Sequence, residues 1–542
     1  MGSCKVIIFL FYILFANVFA DLRIDPLVDT NVGLIRGLRA IDGDYSMFMG
    51  IPFAKVRPEN PFGDAIPHER FDDVFEAFDD SAICPQIEEF NQTVTGNLDC
   101  LHLNIYVPNS ASSRNRLPVL IWVYGGGFSI GFSGRYLYGP KYIVRHDVIL
   151  VTINYRLGPY GFMCLDTADV PGNQGLKDQL LALRWVKHNI EAFGGDSNKI
   201  TAFGESAGGI AVDFHLLSPH ELLFNQVILN SGTTLLPTFY EPIKNAPIIL
   251  AQYLGLDTDD MDEAISFLAN LDTNSVITAA AALNLEFKTC VEQEFDNVDR
   301  FITQNWINAP VPKVRNMPVL IGFNNQELLT TYGLETATFY DDLIKYKLSI
   351  GFDVDNEEFE GMEELVRQFY IGDESITDKV RYEIIDFESD YKFNHPTFRS
   401  IKKYIENGAG NIFNYVFSYA GGRNFAKHLN NITFGGAAHA DELGYLFDMS
   451  FWKQISDEDQ LIVDLMTTMW TNFVKHGDPT PELSDLLTTK WTPITEGSPH
   501  HYLEIDRELH AKTRPFSSRM TFWDLFYKMN HNLQRIYPGY NV

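Results

Sequence analysis

A segment around Ser206 has the residue types and spacing of a serine nucleophile. Residues 204–209 read Gly-Glu-Ser-Ala-Gly-Gly, with a short apolar stretch at 200–203 before them and a helical pattern at 207–217 after them. This order predicts a sharp turn from a strand into a helix, where glycines are needed because side chains would be crowded out. Such a turn holds the serine hydroxyl clear of the backbone, at the positive end of the helix. The chemistry that this arrangement serves is acyl transfer.

A glycine-rich loop supplies candidate donors for the negative charge that develops on a carbonyl oxygen during acyl transfer. Residues 125–128 read Gly-Gly-Gly-Phe directly after a predicted strand. The alternatives are a phosphate-binding loop, which is excluded because no Gly-Lys-Ser/Thr follows, and a plain turn. In combination with the turn at Ser206 we predict an oxyanion hole formed by the backbone N–H groups of Gly126, Gly127 and Ala207.

A serine hydroxyl needs a base, and the base needs an acid that fixes its tautomer. For a nucleophile on this kind of turn the chain order is serine, acid, histidine. Of the 14 histidines, His439 stands out because it lies in a glycine-containing loop after a predicted strand. Glu327 lies six residues beyond the apolar stretch 319–321, where a carboxylate could reach the carboxyl edge of a sheet. Taken alone, Glu327 and His439 are each more typical of an ordinary surface or packing residue than of a catalytic one.

Apolar stretches bounded by turns alternate with helical patterns along the chain, which predicts an α/β fold with parallel, doubly buried strands. No spacer rich in Pro, Gly or Ser separates independent modules, so we expect one domain over residues 21–542. The predicted strands are 118–124, 148–154, 200–203, 227–229, 319–321 and 412–419, and the predicted helices are 173–193, 207–217, 457–476 and 520–533.

The N-terminus predicts a secreted protein. Residues 1–20 combine Lys5, an apolar stretch at 6–15 and small residues before a cleavage point after Ala20, which is the pattern of a signal peptide. No later segment reaches about 18 apolar residues, and the C-terminus carries no anchor signal, so no membrane anchor is expected. Sequons at Asn91 and Asn431 agree with a secretory route and are glycosylation candidates. We therefore expect an extracellular location.

The formal net charge of -29 disfavours nucleic acid and anionic membranes as partners, because both need clustered Lys and Arg. The charge favours solubility, with attraction of cationic ligands as the alternative. No Cys or His cluster has the spacing of metal ligands, so neither a metal nor another cofactor is expected.

Five cysteines are present, one of them within the predicted signal peptide. In an oxidising compartment the close pair Cys84 and Cys100 predicts a disulfide. The sequence leaves open whether Cys164 and Cys290 pair, and two buried free thiols are the default interpretation.

Further segments resemble the type-B carboxylesterase and cholinesterase family. They read Phe-Met-Gly-Ile-Pro-Phe-Ala at 48–54, Asp-Cys-Leu-His-Leu-Asn-Ile-Tyr-Val-Pro at 99–108, Asn-Tyr-Arg-Leu-Gly-Pro-Tyr-Gly-Phe at 154–162 and Gly-Asn-Gln-Gly-Leu-Lys-Asp-Gln at 172–179. The resemblance runs from about Ile35 to Tyr527 and implies the α/β-hydrolase fold. That fold has a large central, mostly parallel, twisted sheet flanked by helices, with the active site in a gorge.

The resemblance also assigns roles. Residues 322–327 match the family's acid motif and residues 436–442 its histidine motif, which implies a triad of Ser206, Glu327 and His439.

It further implies the disulfide between Cys84 and Cys100 and a structural ion pair between Arg156 and Asp178. Glu205 is either a buried carboxylate that assists the protonated histidine or a residue that orders the loop, and both alternatives stay open.

At several positions this sequence departs from the family, and some of these departures restrict which esters it is expected to cleave. No Trp lies between Cys84 and Cys100, where cholinesterases hold choline by a cation–π contact, so acetylcholine is not expected. Juvenile hormone esterases usually have Gln where this chain has Glu205, which weakens that assignment without removing it. Both residues of an ion pair that is common in the family are absent from this sequence. Cys290 falls where relatives line the acyl side of the gorge, although a buried structural thiol is the preferred interpretation.

The sequence as a whole predicts a secreted serine hydrolase that cleaves small to medium, largely apolar carboxylic esters through an acyl-enzyme. By analogy, its substrates would be odorant, dietary or xenobiotic esters. Two rivals are a non-catalytic adhesion or binding protein on the same fold and a slow, stoichiometric sequestrant of esters or organophosphates. The oligomeric state is left open.

Overall fold

The computed structural model describes residues 25–237, 243–334 and 336–535, so the predicted signal peptide lies outside the described residues. Within them the central sheet has 11 strands. In chain order these are β1 Leu38–Arg39, β2 Tyr45–Pro52, β3 His102–Pro108, β4 Leu117–Val123, β5 Ile149–Ile153, β6 Gly195–Glu205, β7 Gln226–Asn230, β8 Val319–Asn324, β9 Ile412–Phe417, β10 His501–Ile505 and β11 Leu509–Thr513.

The middle of this sheet is parallel and its edges are antiparallel. The spatial order is β11-β10-β9-β8-β7-β6-β4-β5-β3-β2-β1. All neighbours from β10 across to β5 pair in parallel, while β11 and the strands β3, β2 and β1 are antiparallel to their neighbours. The predicted α/β-hydrolase fold with a mostly parallel sheet is therefore confirmed.

The parallel strands are buried on both faces, which explains why they read as continuous apolar stretches. Every residue of β5, β8 and β9 is buried. All six predicted strands are present within a few residues of the expected bounds, and β6 is longer than predicted because it begins at Gly195. The carboxyl ends of β6, β7 and β8 lie side by side, which brings the loops that follow them to one edge of the sheet.

Helices cover the sheet. The helices used below are α1 Gln174–Asn189, α2 Ala207–Leu217, α3 His395–Glu406, α4 Asp457–His476 and α5 Ser517–Met529. α2 and α4 have the predicted bounds, whereas α5 begins three residues before the predicted 520. The other α-helices of the described residues are Lys141–Val144, Gly158–Phe162, Ala246–Tyr253, Met261–Ala269, Thr273–Ala282, Leu329–Gly333, Leu343–Leu348, Glu360–Tyr370, Arg381–Ser389 and Phe425–Leu429.

The described residues also contain short strands, 3-10 helices and one π-helix. The π-helix Asp390–Asn394 directly precedes α3. The strands outside the central sheet form three small sheets, Leu27–Thr30 with Gly33–Arg36 and Phe75–Glu76, Ala54–Lys55 with Ile66–Pro67, and Gln86–Ile87 with Val94–Thr95. Among the described helices, none combines the length and apolar character that a bilayer crossing demands.

A buried ion pair braces the loop after β5. The Arg156 side chain donates two hydrogen bonds of 2.7 Å to Asp178 on α1, and neither side chain is exposed. The ion pair implied by the family resemblance is therefore confirmed.

Two disulfides are present in the structure. One joins Cys84 to Cys100, and the other joins Cys164 to Cys290 across 126 residues of sequence. The default interpretation of Cys164 and Cys290 as free thiols was wrong. Both are buried, and they meet because the chain carrying Cys290 packs on the loop at Gly172, which lies against both sulfur atoms.

Removing the second disulfide should destabilise the protein more than removing the first. The loop-entropy model gives about 5 kcal/mol for a closed loop of this size and about 3 kcal/mol for the short loop between Cys84 and Cys100. We expect the Cys164→Ala/Cys290→Ala variant to unfold at a lower urea concentration than wild type and than the Cys84→Ala/Cys100→Ala variant. An unchanged midpoint would show that this bond does not form in the folded protein.

Candidate active site

Ser206 occupies a tight junction between β6 and α2. Its backbone has φ 54° and ψ -126°, a conformation that costs a non-glycine residue about 1–3 kcal/mol. Two hydrogen bonds hold it there. The Ser206 N–H donates to the carbonyl of Asn230 at 2.9 Å, and the Ser206 carbonyl accepts from the N–H of Ile210 at 2.9 Å. The predicted strand-to-helix turn is thus present.

The glycines of this turn are required by close backbone contacts. A Cβ on Gly204 would lie 2.2 Å from the carbonyl of Gly208, and a Cβ on Gly208 would lie 2.0 Å from the carbonyl oxygen of Val123 on β4. Gly232, which the sequence did not single out, is equally constrained, since its Cβ would lie 2.0 Å from the Ser206 carbonyl oxygen. No side chain fits these positions unless the backbone moves.

The three residues predicted as nucleophile, base and acid lie in one hydrogen-bonded chain. His439 Nε2 is 2.8 Å from Ser206 Oγ, and His439 Nδ1 is 2.6 Å from Glu327 Oε2. The backbone also joins the two loops, because the His439 N–H donates to the Glu327 carbonyl at 3.1 Å. Glu327 is buried, whereas Ser206 and His439 are partly exposed.

Two residues missed by the sequence analysis hold Glu327. Its second oxygen, Oε1, accepts from the hydroxyl of Ser231 at 2.6 Å and from the backbone N–H of Asn324 at 2.7 Å. With the bond to His439, three hydrogen bonds hold this carboxylate in place. Asn324 lies inside the acid motif and was visible there, but Ser231 follows β7 and is brought in only by the register of the sheet.

The glycine loop lies beside the nucleophile. A Cβ on Gly125 would be 2.9 Å from that of Ser206. Gly126 and Gly127 have φ 103° and 62°, a region that favours glycine. Within the described residues no hydrogen bond uses the N–H of Gly126, Gly127 or Ala207 as a donor. These groups are free to bind an oxygen next to Ser206.

Two more buried carboxylates lie close to the imidazole. Glu205 Oε1 is 3.3 Å from His439 Nε2. Glu442 accepts from the side-chain amides of Asn324 at 2.6 Å and Asn230 at 3.1 Å. Burial raises the pKa of Glu205 and of Glu442, and neighbouring carboxylates raise both further. The position of Glu205 favours electrostatic assistance to a protonated histidine over a role in ordering the loop.

The pKa of His439 reflects this surrounding negative charge. Burial alone lowers the pKa, but the charges of Glu205 and Glu327 and the hydrogen bond to Glu327 outweigh it, so the net shift is upward. The protonated imidazole is therefore stabilised by the site, which is what a base needs once it has taken up a proton.

A π-helix positions one wall of the site. Phe393, on this π-helix, packs its ring 4.7 Å from the ring of His439. The π-helix is fixed by Asp390, which accepts hydrogen bonds from Tyr370 and Asn394 at 2.7 Å and forms an ion pair with Arg519 at 2.8 Å. An apolar ring beside the base predicts a binding surface for an apolar group. No sequence signal pointed to Phe393.

The remaining predicted sites lie away from this centre. Asn91 and Asn431 are exposed. Cys290 is buried and bonded to Cys164, so no free thiol at this position faces a substrate.

The chain is similar in sequence and in fold to known proteins. The model of the carboxylesterase family matches residues 24–523. The juvenile hormone esterase of Tribolium castaneum is 31% identical over 513 residues, covering 86% of each chain. The human bile salt-activated lipase is 31% identical over 530 residues, which cover 91% of this chain and 68% of the lipase. The crystal structure of juvenile hormone esterase from Manduca sexta, with OTFP covalently attached, has a TM-score of 0.81 at 26% identity and covers 94% of this chain and 100% of that one.

Proposed function

Because the chain belongs to the carboxylesterase family and is a serine carboxylic ester hydrolase, we propose that Ser206, His439 and Glu327 are its catalytic triad. The observation that carries this proposal is the continuous chain of hydrogen bonds from Ser206 through His439 to Glu327.

In the first half-reaction His439 acts as a general base. As a carboxylate, Glu327 accepts from the Nδ1–H of His439, which leaves Nε2 free to take the Ser206 proton. The Ser206 Oγ bonds to the ester carbonyl carbon while this proton moves to Nε2. The bond to the alcohol oxygen then breaks, and His439 returns the proton to the departing alcohol. An acyl-enzyme on Ser206 remains.

Water repeats the cycle on the acyl-enzyme. His439 takes a proton from water, whose oxygen attacks the acyl carbon, and then returns that proton to Ser206 as the carboxylic acid leaves. In both halves the oxyanion is bound by the N–H groups of Gly126, Gly127 and Ala207. Fixed donors of this kind usually provide the largest part of catalysis in acyl transfer.

Removing the charge of Glu205 should shift the pH dependence. The enzyme is active when His439 is neutral, so activity falls as pH drops through the pKa of the coupled site. Since Glu205 raises the pKa of His439, the Glu205→Gln variant should keep its activity to lower pH than wild type. The measurement is kcat/KM against pH with an ester that does not itself ionise. A shift to higher pH, or no shift, would contradict electrostatic assistance by Glu205.

The substrates we propose are small to medium, largely apolar carboxylic esters of odorant, dietary or xenobiotic origin. The ring of Phe393 beside His439 supports an apolar group at the reacting carbon, and the absence of Trp between Cys84 and Cys100 disfavours choline esters. Juvenile hormone is the second candidate, because two of the similar proteins are juvenile hormone esterases. The gorge expected from the family resemblance stays a prediction.

A series of acetate and nitrophenyl esters of increasing acyl length tests this assignment, with juvenile hormone and acetylcholine in the same panel. Purified protein should hydrolyse the apolar esters and spare acetylcholine, and treatment with an organophosphate should abolish turnover. Covalent labelling of Ser206 without turnover would establish the sequestrant instead. Neither labelling nor turnover would favour the adhesion or binding protein.

We also propose that residues 1–20 are removed as a signal peptide and that the protein is secreted and glycosylated. The exposed positions of Asn91 and Asn431 and the two disulfides support this route. Expressed in insect cells, the protein should appear in the medium beginning at Asp21. Asn91→Gln and Asn431→Gln should each remove one glycan, seen as a smaller mass that glycosidase treatment equalises. An intact N-terminus on the secreted chain would overturn the signal-peptide assignment.

A further inference from the structure

A large cleft lies away from Ser206, between α3, α5 and the loop at 307–310. It encloses about 930 Å³, within the range of small-molecule sites. None of the three proposed triad residues lines it. One wall is made of apolar and aromatic side chains, Leu235, Ile307, Phe398, Met520 and Tyr527, each of which is buried.

The rest of the cleft is basic, although the chain carries 71 acidic and 42 basic residues. Within the part of the chain that the structure describes, none of its five cations forms an ion pair. They are Arg399, Lys402, Lys403, Arg514 and Lys528.

The carboxylates of the cleft are too few to balance its five cations. Only two line it, Glu406 and Asp524. Asp524 is engaged by His395, whose Nε2 is 3.1 Å from the carboxylate. With five cations and two carboxylates the cleft carries an excess of positive charge, and an anion bound there would balance it.

Two of the cations are held in place on the inner wall. The Arg399 guanidinium lies over the ring of Tyr527, 4.4 Å from its centroid. The Lys403 ammonium donates to the carbonyl of Trp306 at 2.6 Å, so its partner is a neutral group. Burial lowers the pKa of Lys403 to about 8, opposed by the charge of Asp213 and aided by the neighbouring charge of Arg399. Preorganised cations lose little entropy when they bind an anion.

We propose that this cleft is a second ligand site that binds a free amphiphilic anion, with a carboxylate or sulfate head and an aliphatic or ring body. The cations bind the head, and the apolar wall buries the body. An inorganic anion would leave the apolar wall in water, and a neutral lipid would leave the cations unpaired. The proposal is independent of the chemistry at Ser206.

Calorimetric titration of the full chain with decanoate, decyl sulfate and 1-decanol, each below its micelle concentration, tests the site. Both anions should bind, with affinity that falls as NaCl is raised, and 1-decanol should bind at least about tenfold more weakly. Equal binding of 1-decanol, or no binding of either anion, would overturn the proposal.

Variants locate the binding. Arg399→Gln/Lys402→Gln should weaken decanoate binding about tenfold, whereas the matched control Arg114→Gln/Lys199→Gln, which removes two exposed cations elsewhere, should leave it unchanged. Arg514→Gln/Lys528→Gln, which removes two other cations of the cleft, provides a second test if circular dichroism shows that the first variant is misfolded. Equal losses in the control would mean that net charge alone is responsible, which overturns the site.

A membrane surface is the other source of anionic head groups. Sedimentation with phosphatidylglycerol vesicles separates the two cases. The proposal expects no more protein to sediment with these vesicles than with phosphatidylcholine vesicles. Sedimentation that depends on Arg399 and Lys402, without binding of free decanoate, would replace the small-ligand site by a membrane contact.

Discussion

The Ser206→Ala variant is expected to lose about a millionfold in kcat for ester hydrolysis, the largest effect of any single substitution in this chain. Alanine removes the oxygen that becomes the acyl-enzyme, so His439 has no hydroxyl to deprotonate at 2.8 Å. The substitution leaves the fold intact because Ser206 is held by backbone hydrogen bonds that alanine also makes. Any residual rate would come from the oxyanion donors acting on water alone.

Turnover of a nitrophenyl ester, together with mass spectrometry after organophosphate treatment, measures this loss. Ser129→Ala is the matched control, since Ser129 lies in the neighbouring glycine loop and its hydroxyl donates only a long hydrogen bond of 3.4 Å to the Gly127 carbonyl. We expect the control to be labelled and to turn over at a rate close to wild type. Labelling of the Ser206→Ala protein at another serine would show that the nucleophile has been misassigned.

The Glu327→Gln variant should lose about 10⁴-fold in kcat, the second largest effect, through the tautomer of His439. Oε1 of Glu327 receives donors from Ser231 and Asn324, so the amide oxygen of glutamine takes that place. The amide NH₂ group is then directed at His439 Nδ1. Facing a donor, Nδ1 becomes the acceptor and the imidazole proton moves to Nε2, where it blocks uptake of the Ser206 proton.

The pH profile distinguishes this effect from simple misfolding. Glu327→Gln should bind organophosphates reversibly, with normal circular dichroism, yet acylate slowly at every pH. Ser231→Ala removes one of the hydrogen bonds to Glu327 and leaves its charge, so we expect a loss of no more than about 100-fold. An equal loss in both variants would mean that packing around Glu327, and not the tautomer, sets the rate.

The sequence predicts the buried parallel strands and the turn at Ser206 better than it predicts the outer strands and the contacts between distant segments. β8 and β9 read as apolar stretches because both faces are buried, and the glycines at 204 and 208 identify the turn because backbone contacts forbid a Cβ there. α4 has the predicted bounds, and in the structure Ser456 caps its N-terminus and Gly477 ends it in the left-handed region. In these places a local physical requirement fixes the residue type.

What the sequence missed depends on contacts between distant segments. β10 and β11, which form an antiparallel pair, carry polar residues, and most of β11 is exposed, so neither strand gives a continuous apolar signal. Ser231 reaches Glu327 only because β7 and β8 are adjacent in the sheet. No local motif around Cys164 or Cys290 predicts that these two residues form a disulfide. Each of these features is a property of tertiary register, which spacing along the chain does not encode.

The wide spacing of the proposed triad along the chain has a consequence for biosynthesis. Ser206 and His439 are separated by 233 residues, and Glu327 and His439 by 112. A nascent chain therefore displays the nucleophile and the glycine loop long before its base has been translated. Ester hydrolysis therefore begins only when the last third of the polypeptide has folded onto the rest. Turnover thus also measures how much of the protein is completely folded. On this assignment, a chain that ends before His439 would be an inert polypeptide.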